Sequence, residues 1–223
     1  MDQSQATLMT SAIFSCLHFP SRTIPTMTLT VSVIIGSVRP GRQGLRVAKF
    51  IAAKLESVGF KVHLIDPIEL NLPLFVGRFD YLPEDKKTDE LKALKAKLVE
   101  SDAIVAVTPE YNHSFSPVIA NTLDYFYAEF LFKIAGIVSY SAGPFGGVRA
   151  VGPLRPFFGE LGLTTIPKEL PVPVVQNLLN EDGTIQATAG QSGESLEKGA
   201  TEFANQLQWY AKALKAARAE GTP

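Results

Sequence analysis

The chain has 223 residues, of which 46% are hydrophobic, so it can bury a substantial core and is expected to form one domain. Its 21 Lys and Arg against 22 Asp and Glu give a formal net charge of -1, which argues against a nucleic-acid-binding protein that works by bulk charge. The single cysteine, Cys16, excludes an intrachain disulfide and a cysteine metal cluster, and the three histidines are too scattered to indicate a zinc site.

Residues 1–28 differ from the rest because they are rich in Ser and Thr and carry one basic residue, Arg22. They lack the positively charged start of a secretory signal. We expect a flexible extension or a start codon assigned too early, with Met27 as the working start; a weak targeting peptide is the alternative. No stretch reaches the roughly 20 apolar residues of a membrane span. A cytoplasmic protein without a membrane span is therefore expected.

From Leu29 onward, the sequence alternates between strand and helix patterns. "LTVSVIIGS" predicts a strand, "LRVAKFIAAKLESVG" a helix that Gly59 ends, and "FKVHLIDP" a second strand. The proline-bearing segment 71–87 follows. Its Phe75, Phe79 and Tyr81 predict either a lid or subunit contact, or a loop packed on its own domain.

The pattern continues with "TDELKALKAKLVES", a helix for which Thr88 is the predicted N-cap, and "DAIVAVTP", a strand that is apolar on both faces. "SPVIANTLDYFYAEF" predicts a helix that begins at Ser116-Pro117, and "KIAGIVSYS" another apolar strand. We expect a helix over about 148–161 and a final helix over about 195–218. The prolines of "TTIPKELPVPVV" between them allow an edge strand at best.

Strands that are apolar throughout and separated by helices indicate a parallel sheet covered on both faces. The predicted fold is α/β, a doubly wound sheet of about five strands, in one domain over residues 29–218 with a flexible tail at 219–223. Ligands of such sheets bind beyond the carboxyl ends of the strands. Three loops that look specialised fall at those ends: 36–44, 108–116 and 140–147.

The first loop, "GSVRPGRQG", has the glycine spacing of a P-loop, but Arg42-Gln43 replace the Lys and Ser/Thr that bind nucleotide and magnesium. Free backbone N–H groups at a helix start, the Ser37 hydroxyl and the guanidinium groups of Arg39 and Arg42 suit a phosphomonoester held without metal. The structural alternative is a capped loop with solvated arginines.

The second loop, "TPEYNHS", follows a buried strand, and its backbone amides from Glu110 to Asn112 could meet the edge of a planar heterocycle that Tyr111 flanks. A simple turn closed by Asn112 is the alternative. The third loop, "SAGPFGG", is rich in glycines that permit close approach of the backbone to a ligand, but a tight strand-to-helix turn would need them too.

The sequence resembles the NADPH-dependent FMN reductase family, flavodoxin-like flavoproteins that include azo-, quinone- and chromate-reducing members. The resemblance rests on "VIIGSVRPGRQG", "VTPEYNHSFSPVIANTLDYFYAEF" and "GIVSYSAGPFGGVRAV" and extends over about Leu29 to Thr184. It implies that the three loops hold FMN: the first its phosphate, the second the ribityl chain and isoalloxazine, the third the pyrimidine side. The implied residues are Ser37, Arg39, Arg42 and Gln43, then Pro109, Glu110, Tyr111 and Asn112, then Ser141, Ala142, Gly143 and Gly146.

The resemblance further implies an NAD(P)H-dependent FMN oxidoreductase that passes hydride from NADPH or NADH to FMN and on to a small acceptor by a ping-pong mechanism, without a catalytic side chain. The acceptor could be a flavin, a quinone, an azo compound or a metal oxyanion. Tyr111 is a candidate for shaping the nicotinamide pocket, and Arg149 is either a nucleotide-phosphate contact or a solvated arginine. An FMN-binding electron-transfer or redox-sensing module is the alternative, and another phosphorylated ligand is a second one.

A homodimer or homotetramer with the flavin near a subunit contact is also implied. The candidate surface is an aromatic run that could equally be intramolecular core. Its members are Tyr125, Phe126, Tyr127, Phe130 and Phe132.

Overall fold

The computed structural model describes residues 28–223. The predictions for residues 1–27, including the flexible extension and the role of Met27, lie outside the described residues. The described part of the chain contains one sheet of six strands. They are β1 Leu29–Ile35, β2 Phe60–Ile65, β3 Ala103–Pro109, β4 Lys133–Tyr140, β5 Leu163–Thr165 and β6 Leu170–Val172.

The sheet is parallel throughout, in the order β2-β1-β3-β4 with β5 and β6 both on the outer side of β4. β5 pairs with the start of β4 and β6 with its end, so the two form one edge position interrupted around Pro167. Strand order reverses between β1 and β3, as in doubly wound flavodoxin-like sheets. The predicted fold class is confirmed, and the proline-rich edge strand is present as two short pieces.

Helices cover both faces of the sheet. They are α1 Gly44–Ser57, α2 Pro67–Leu70, α3 Asp89–Glu100, α4 Pro117–Leu123, α5 Val151–Glu160, α6 Val175–Leu178 and α7 Gly190–Glu220. α1 and α7 bury their apolar sides in one core, whereas α3, α4 and α5 pack in a second core on the opposite face. The two cores hold the strand ends in place, so the loops that follow them start from fixed positions.

Two helices differ in length from their predictions. α4 ends at Leu123 instead of continuing to about residue 130, because Tyr125, Phe126 and Phe130 turn into the core. The last helix begins at Gly190 and runs through Glu220, so residues 219 and 220 of the predicted tail are helical. The predicted caps are confirmed: the Leu91 N–H donates to the Thr88 hydroxyl at 3.3 Å and the Ile119 N–H to the Ser116 hydroxyl at 3.4 Å.

Segment 71–87 packs on its own domain. The Phe75 N–H donates to Asn121 Oδ1 at 2.8 Å, and the Phe79 N–H donates to the Tyr125 carbonyl at 2.7 Å. Phe79 is buried, whereas Tyr81 is 83% exposed. The packed-loop alternative therefore describes the two phenylalanines. No helix within residues 28–223 has both the length and the apolar character needed to cross a bilayer.

Candidate functional site

The three loops after β1, β3 and β4 meet around one cavity of about 260 Å³. Nine of the twelve residues predicted for the site line it, together with Pro40, Gly41 and Tyr140. The nine are Ser37, Arg39, Arg42, Gln43, Pro109, Glu110, Tyr111, Ser141 and Ala142. Convergence follows from topology, because the carboxyl ends of neighbouring parallel strands lie at the same edge of a sheet.

The two arginines of the first loop have different surroundings. Arg42 is largely buried and makes a two-pronged ion pair with Asp66, in which Nη1 lies 2.6 Å from Oδ1, and it also donates to the Ser37 carbonyl at 2.9 Å. Arg39 is exposed, and its Cζ lies 5.7 Å from the centre of the Tyr111 ring. Arg39 therefore keeps its guanidinium hydrogen-bonding capacity for a ligand, while Arg42 uses three of its five donors within the protein.

The Arg42–Asp66 pair changes the titration of both groups. Burial alone would raise the pKa of Asp66, but hydrogen bonds from Arg42 and from the Ile68 N–H outweigh it, and the net pKa is lowered. The same hydrogen bond raises the pKa of Arg42 against the opposing effect of burial. Both groups stay charged at neutral pH, and the pair adds no net charge to the cavity.

Ser37 joins the first loop to the second. Its buried hydroxyl lies 3.1 Å from the Tyr111 hydroxyl, and it accepts a hydrogen bond from the Arg39 N–H at 3.4 Å. A hydroxyl held in this way can donate to an anion in the cavity or accept from a ligand hydroxyl.

Gln43 lines the cavity and carries a buried acceptor without a partner among the described residues. Its Nε2 donates to the Gly41 carbonyl at 2.9 Å. Among the buried side-chain nitrogen and oxygen atoms of residues 28–223, its Oε1 is the one without a hydrogen-bond partner. Buried polar atoms are normally paired. A ligand with hydroxyl groups would satisfy this oxygen, whereas a phosphate oxygen would not.

In the second loop, Tyr111 and Ser114 exchange backbone hydrogen bonds of 2.9 and 3.0 Å around Asn112 and His113. Both turn residues have positive φ, 51° and 61°, which Asn tolerates better than most residues. Asn112 is exposed in this turn and does not line the cavity, so the turn alternative describes it. Tyr111, at the start of the turn, lines the cavity.

Glu110 connects the second loop to the third. Its carboxylate accepts from the Arg149 backbone N–H at 3.2 Å and from Arg149 Nη1 at 3.1 Å. Arg149 also lies over the Phe145 ring, with Cζ 5.0 Å from its centre. The arginine that could have been solvated is thus paired at the rim of the cavity.

The glycines of the third loop serve mainly the loop itself. Gly146 is buried, and a Cβ there would lie 2.9 Å from the Pro171 side chain. Gly143 is exposed, and its carbonyl accepts from Ser141 Oγ at 2.8 Å and from the Val174 N–H at 3.0 Å. Neither is among the residues that line the cavity.

Tyr140 lines the cavity although the sequence did not single it out. It is the last residue of β4, and a Cβ on Gly44 would lie 2.6 Å from its hydroxyl oxygen, which explains the glycine at the start of α1. Burial, followed by the effect of Tyr111, raises the pKa of Tyr140 above its usual range. Its position at the carboxyl end of an apolar strand was the available signal.

A larger cavity, of about 440 Å³, lies away from the three loops between β6, α6 and α7. Its basic side chain, Lys168, is paired with Glu202 at 2.8 Å. The smaller cavity has the donors that an anionic, hydroxylated ligand requires, and we take it as the candidate site.

The model of one family, NADPH-dependent FMN reductase, matches residues 29–176. This chain belongs to that family. The NADPH-dependent FMN reductase family supplies the enzyme class, an oxidoreductase, and the cofactors, FMN and NAD(P)H, so these predictions are confirmed.

Two curated relatives are each 29% identical in sequence to this chain. An NADPH azoreductase of a Bacillus species is 29% identical over 154 residues, which are 69% of this chain and 80% of the relative. An NAD(P)H-dependent FMN reductase of Saccharomyces cerevisiae is 29% identical over 150 residues, 62% of this chain and 78% of the relative. The fold is similar to that of a flavoenzyme NAD(P)H:(acceptor) oxidoreductase of Paracoccus denitrificans, with a TM-score of 0.64, 22% identity and coverage of 82% and 99% of the two chains.

Proposed function

We propose that this protein oxidises NAD(P)H and reduces a small acceptor through FMN bound in the cavity between the three loops, by a ping-pong mechanism. The observation that supports it most is the convergence of nine predicted residues on one cavity, among them an arginine without an ion pair in the described part of the chain and a glutamine with an unpaired buried acceptor. When bound, FMN supplies the chemistry, accepting hydride from a nicotinamide and passing electrons to the acceptor.

The phosphate end of the proposed site lies at the first loop. Arg39 offers a charged donor, Ser37 a hydroxyl, and the first turn of α1 its free N–H groups. An anion at this place is favoured because the first turn of α1 has no acidic residue. Gln43 Oε1 is suited to accept from a hydroxyl of the ribityl chain, which differs from the phosphate contact predicted for this residue.

The ring end of the proposed site lies between the second and third loops. Pro109 ends β3 rigidly, Tyr111 offers a flat ring, and Ser141 and Ala142 line the cavity from the third loop. Tyr140 keeps its proton because of burial, so its hydroxyl remains a donor inside the cavity. In this proposal Asn112, Gly143 and Gly146 shape the loops, Arg42 stays paired with Asp66, and the other predicted residues contact the cofactor.

We propose that residues 29–218 form the reductase domain, that the protein is cytoplasmic, and that the acceptor is a flavin, a quinone, an azo compound or a metal oxyanion. A homodimer or homotetramer remains proposed. The aromatic run is a poor surface for it, because Tyr125, Phe126 and Phe130 are buried within the protomer. Leu74, at 81% exposed, and Tyr81 offer exposed apolar groups instead.

The test is to purify the full-length protein, identify and quantify the cofactor released on denaturation, and measure initial rates with NADPH and NADH against an acceptor panel. We expect FMN and, when both substrates are varied, parallel double-reciprocal lines. Protein that neither carries FMN nor binds added FMN would falsify the proposal. Bound FMN with turnover near background would favour an electron-transfer module, and intersecting lines would overturn the ping-pong mechanism alone.

A further inference from the structure

We propose that Asp66 is a positioning residue that commits Arg42 to bracing the first loop, so that Arg42 does not bind the cofactor phosphate and Arg39 does. The proposal rests on the proposed function of the cavity, and it assigns opposite roles to two arginines that the sequence treats alike.

Asp66 reaches the first loop from a different part of the sheet. It follows β2 directly, and its Oδ1 also accepts from the Ile68 N–H at 3.0 Å, capping α2. The same carboxylate holds both terminal nitrogens of Arg42. Because β2 and α2 fix the carboxylate, it gives the loop an anchor outside its own backbone.

Arg42 connects the fixed carboxylate of Asp66 to the backbone of the loop. Its Nη1 donates to the Ser37 carbonyl at 2.9 Å, and its backbone N–H donates to the Arg39 carbonyl at 3.1 Å. Arg42 therefore holds the loop on both sides of Val38, through its guanidinium at Ser37 and its backbone N–H at Arg39. Ser37 and Arg39 are the residues whose side chains we place at the phosphate.

The burial and ion pairing of the two arginines agree with a bracing role for Arg42 and a phosphate-binding role for Arg39. The side chains of Arg42 and Asp66 are 12% and 10% exposed, so the pair is shielded from water and its charges cancel. Breaking it so that Arg42 could meet a phosphate would leave a buried carboxylate unpaired, which is costly. Arg39 is exposed and forms no ion pair among the described residues, so no such cost attends its contact with an anion.

The experiment measures the dissociation constants of FMN and riboflavin, which lacks the phosphate, by flavin fluorescence quenching on full-length protein freed of cofactor. The variants are Asp66→Asn, Arg42→Lys and Arg39→Ala. Asn keeps the size of Asp and its ability to cap α2. Lys keeps the charge of Arg but not its two-pronged geometry.

If Asp66 positions the loop, Asp66→Asn and Arg42→Lys each weaken FMN binding by about tenfold, the size expected for loss of one hydrogen bond between charged groups. The double variant is then no weaker than the single ones, because both break one unit. Arg39→Ala weakens FMN binding and leaves riboflavin binding nearly unchanged.

The direction of the change in FMN affinity in Asp66→Asn distinguishes a bracing role of Arg42 from a phosphate-binding role. If Arg42 binds the phosphate, Asp66→Asn releases it and FMN binding is unchanged or tighter, which overturns the proposal. Glu169→Gln is the matched control, since it removes a carboxylate paired with Arg155 at 2.7 Å outside the cavity, and it should leave both constants unchanged. Far-ultraviolet circular dichroism and urea midpoints check folding. Asp66→Asn decides the role of Arg42, because Arg42→Lys weakens FMN binding in either case. If Asp66→Asn does not fold, unchanged FMN binding by Arg39→Ala still overturns the proposal. If wild-type protein binds no FMN, the proposed function fails instead.

Discussion

The hydrogen bond between Ser37 and Tyr111 joins residues 74 positions apart, and it connects the phosphate end of the candidate site to its ring end. Either hydroxyl can donate in this pair. When Tyr111 donates, the Ser37 proton is free for an anion in the cavity. Removal of the Tyr111 hydroxyl should therefore weaken binding at the phosphate end of the site.

We predict that Tyr111→Phe weakens FMN binding by about two- to tenfold, the range expected for one net hydrogen bond. The ring, and with it the contact to Arg39, remains in place. The measurement is the FMN dissociation constant by fluorescence quenching. Tyr81→Phe is the control, because Tyr81 is 83% exposed and lies outside the cavity. Equal constants for the two variants would contradict a role for the phenol.

For individual residues, the sequence predicted which ones lie at the strand ends better than it predicted which side chains pair with each other. Ser37, Arg39 and Tyr111 follow apolar strands, and a parallel sheet brings such strand ends together whatever the side chains do. The pairing of Arg42 with Asp66, 24 positions away, was not predicted, because topology brings the end of β2 beside the loop but does not specify which side chains pair. The same holds for Glu110 and Arg149, 39 residues apart.

Among the elements, β4 and α7 pack closely against each other in the first core. A Cβ on Gly136, in the middle of β4, would lie 2.5 Å from Cζ of Phe203 on α7. The glycine leaves the space that the phenyl ring occupies. β4 also carries Tyr140 at its end, so the seating of α7 affects the position of the site.

We predict that Gly136→Ala lowers the free energy of unfolding by about 1–3 kcal/mol, the usual cost of overpacking a core. Urea unfolding followed by circular dichroism measures it. Phe203→Leu should recover part of the loss in the double variant, since it removes the ring that the new methyl meets. Gly159→Ala, in α5 with no atom within 4 Å of its new methyl, is the control and should cost nothing or stabilise slightly. A Gly136→Ala protein as stable as wild type would show that α7 can shift.

Element types were readily predicted, whereas several boundaries were not. Alternating patterns of period 2 and 3.6 specify strands and helices locally. The early end of α4 depends on where Phe126 and Phe130 find space, and the early start of α7 depends on Gly193 fitting against Ile185. These are tertiary contacts, which override local propensity.

For the molecule as a whole, the amino edge of the sheet is a second polar region, opposite the candidate site. Asp102, just before β3, accepts from Lys215 at 2.7 Å and from Arg218 at 2.8 Å, which fastens the end of α7 to the sheet. Lys133, at the start of β4, is buried and donates to the carbonyls of Leu98 and Val99 at 2.8 and 3.1 Å. The stability of the fold therefore depends on the protonation of this edge.

The lowered pKa of Lys133 determines how stability changes with pH. Burial, together with repulsion from Arg218 and Lys215 and despite attraction to Asp102 and Glu129, lowers its pKa from 10.5 to about 8. Below pH 8 the lysine is charged in both the folded and the unfolded chain. Between about pH 8 and 10.5 the unfolded chain binds more protons, so the free energy of unfolding rises with pH in this window, by at most about 3 kcal/mol.

We predict that Lys133→Met removes this rise. Other lysines and the tyrosines titrate in the same window, so the quantity to measure is the difference in unfolding free energy between wild type and variant, from urea titrations at several pH values from 7 to 10. The unfolding free energy of the wild type should rise relative to that of Lys133→Met as the pH increases. Lys198→Met, at an exposed position of α7, is the control, and the difference should not change with pH. If the difference for Lys133→Met is constant across the window, the lysine titrates normally, and water or a local rearrangement solvates the amino edge.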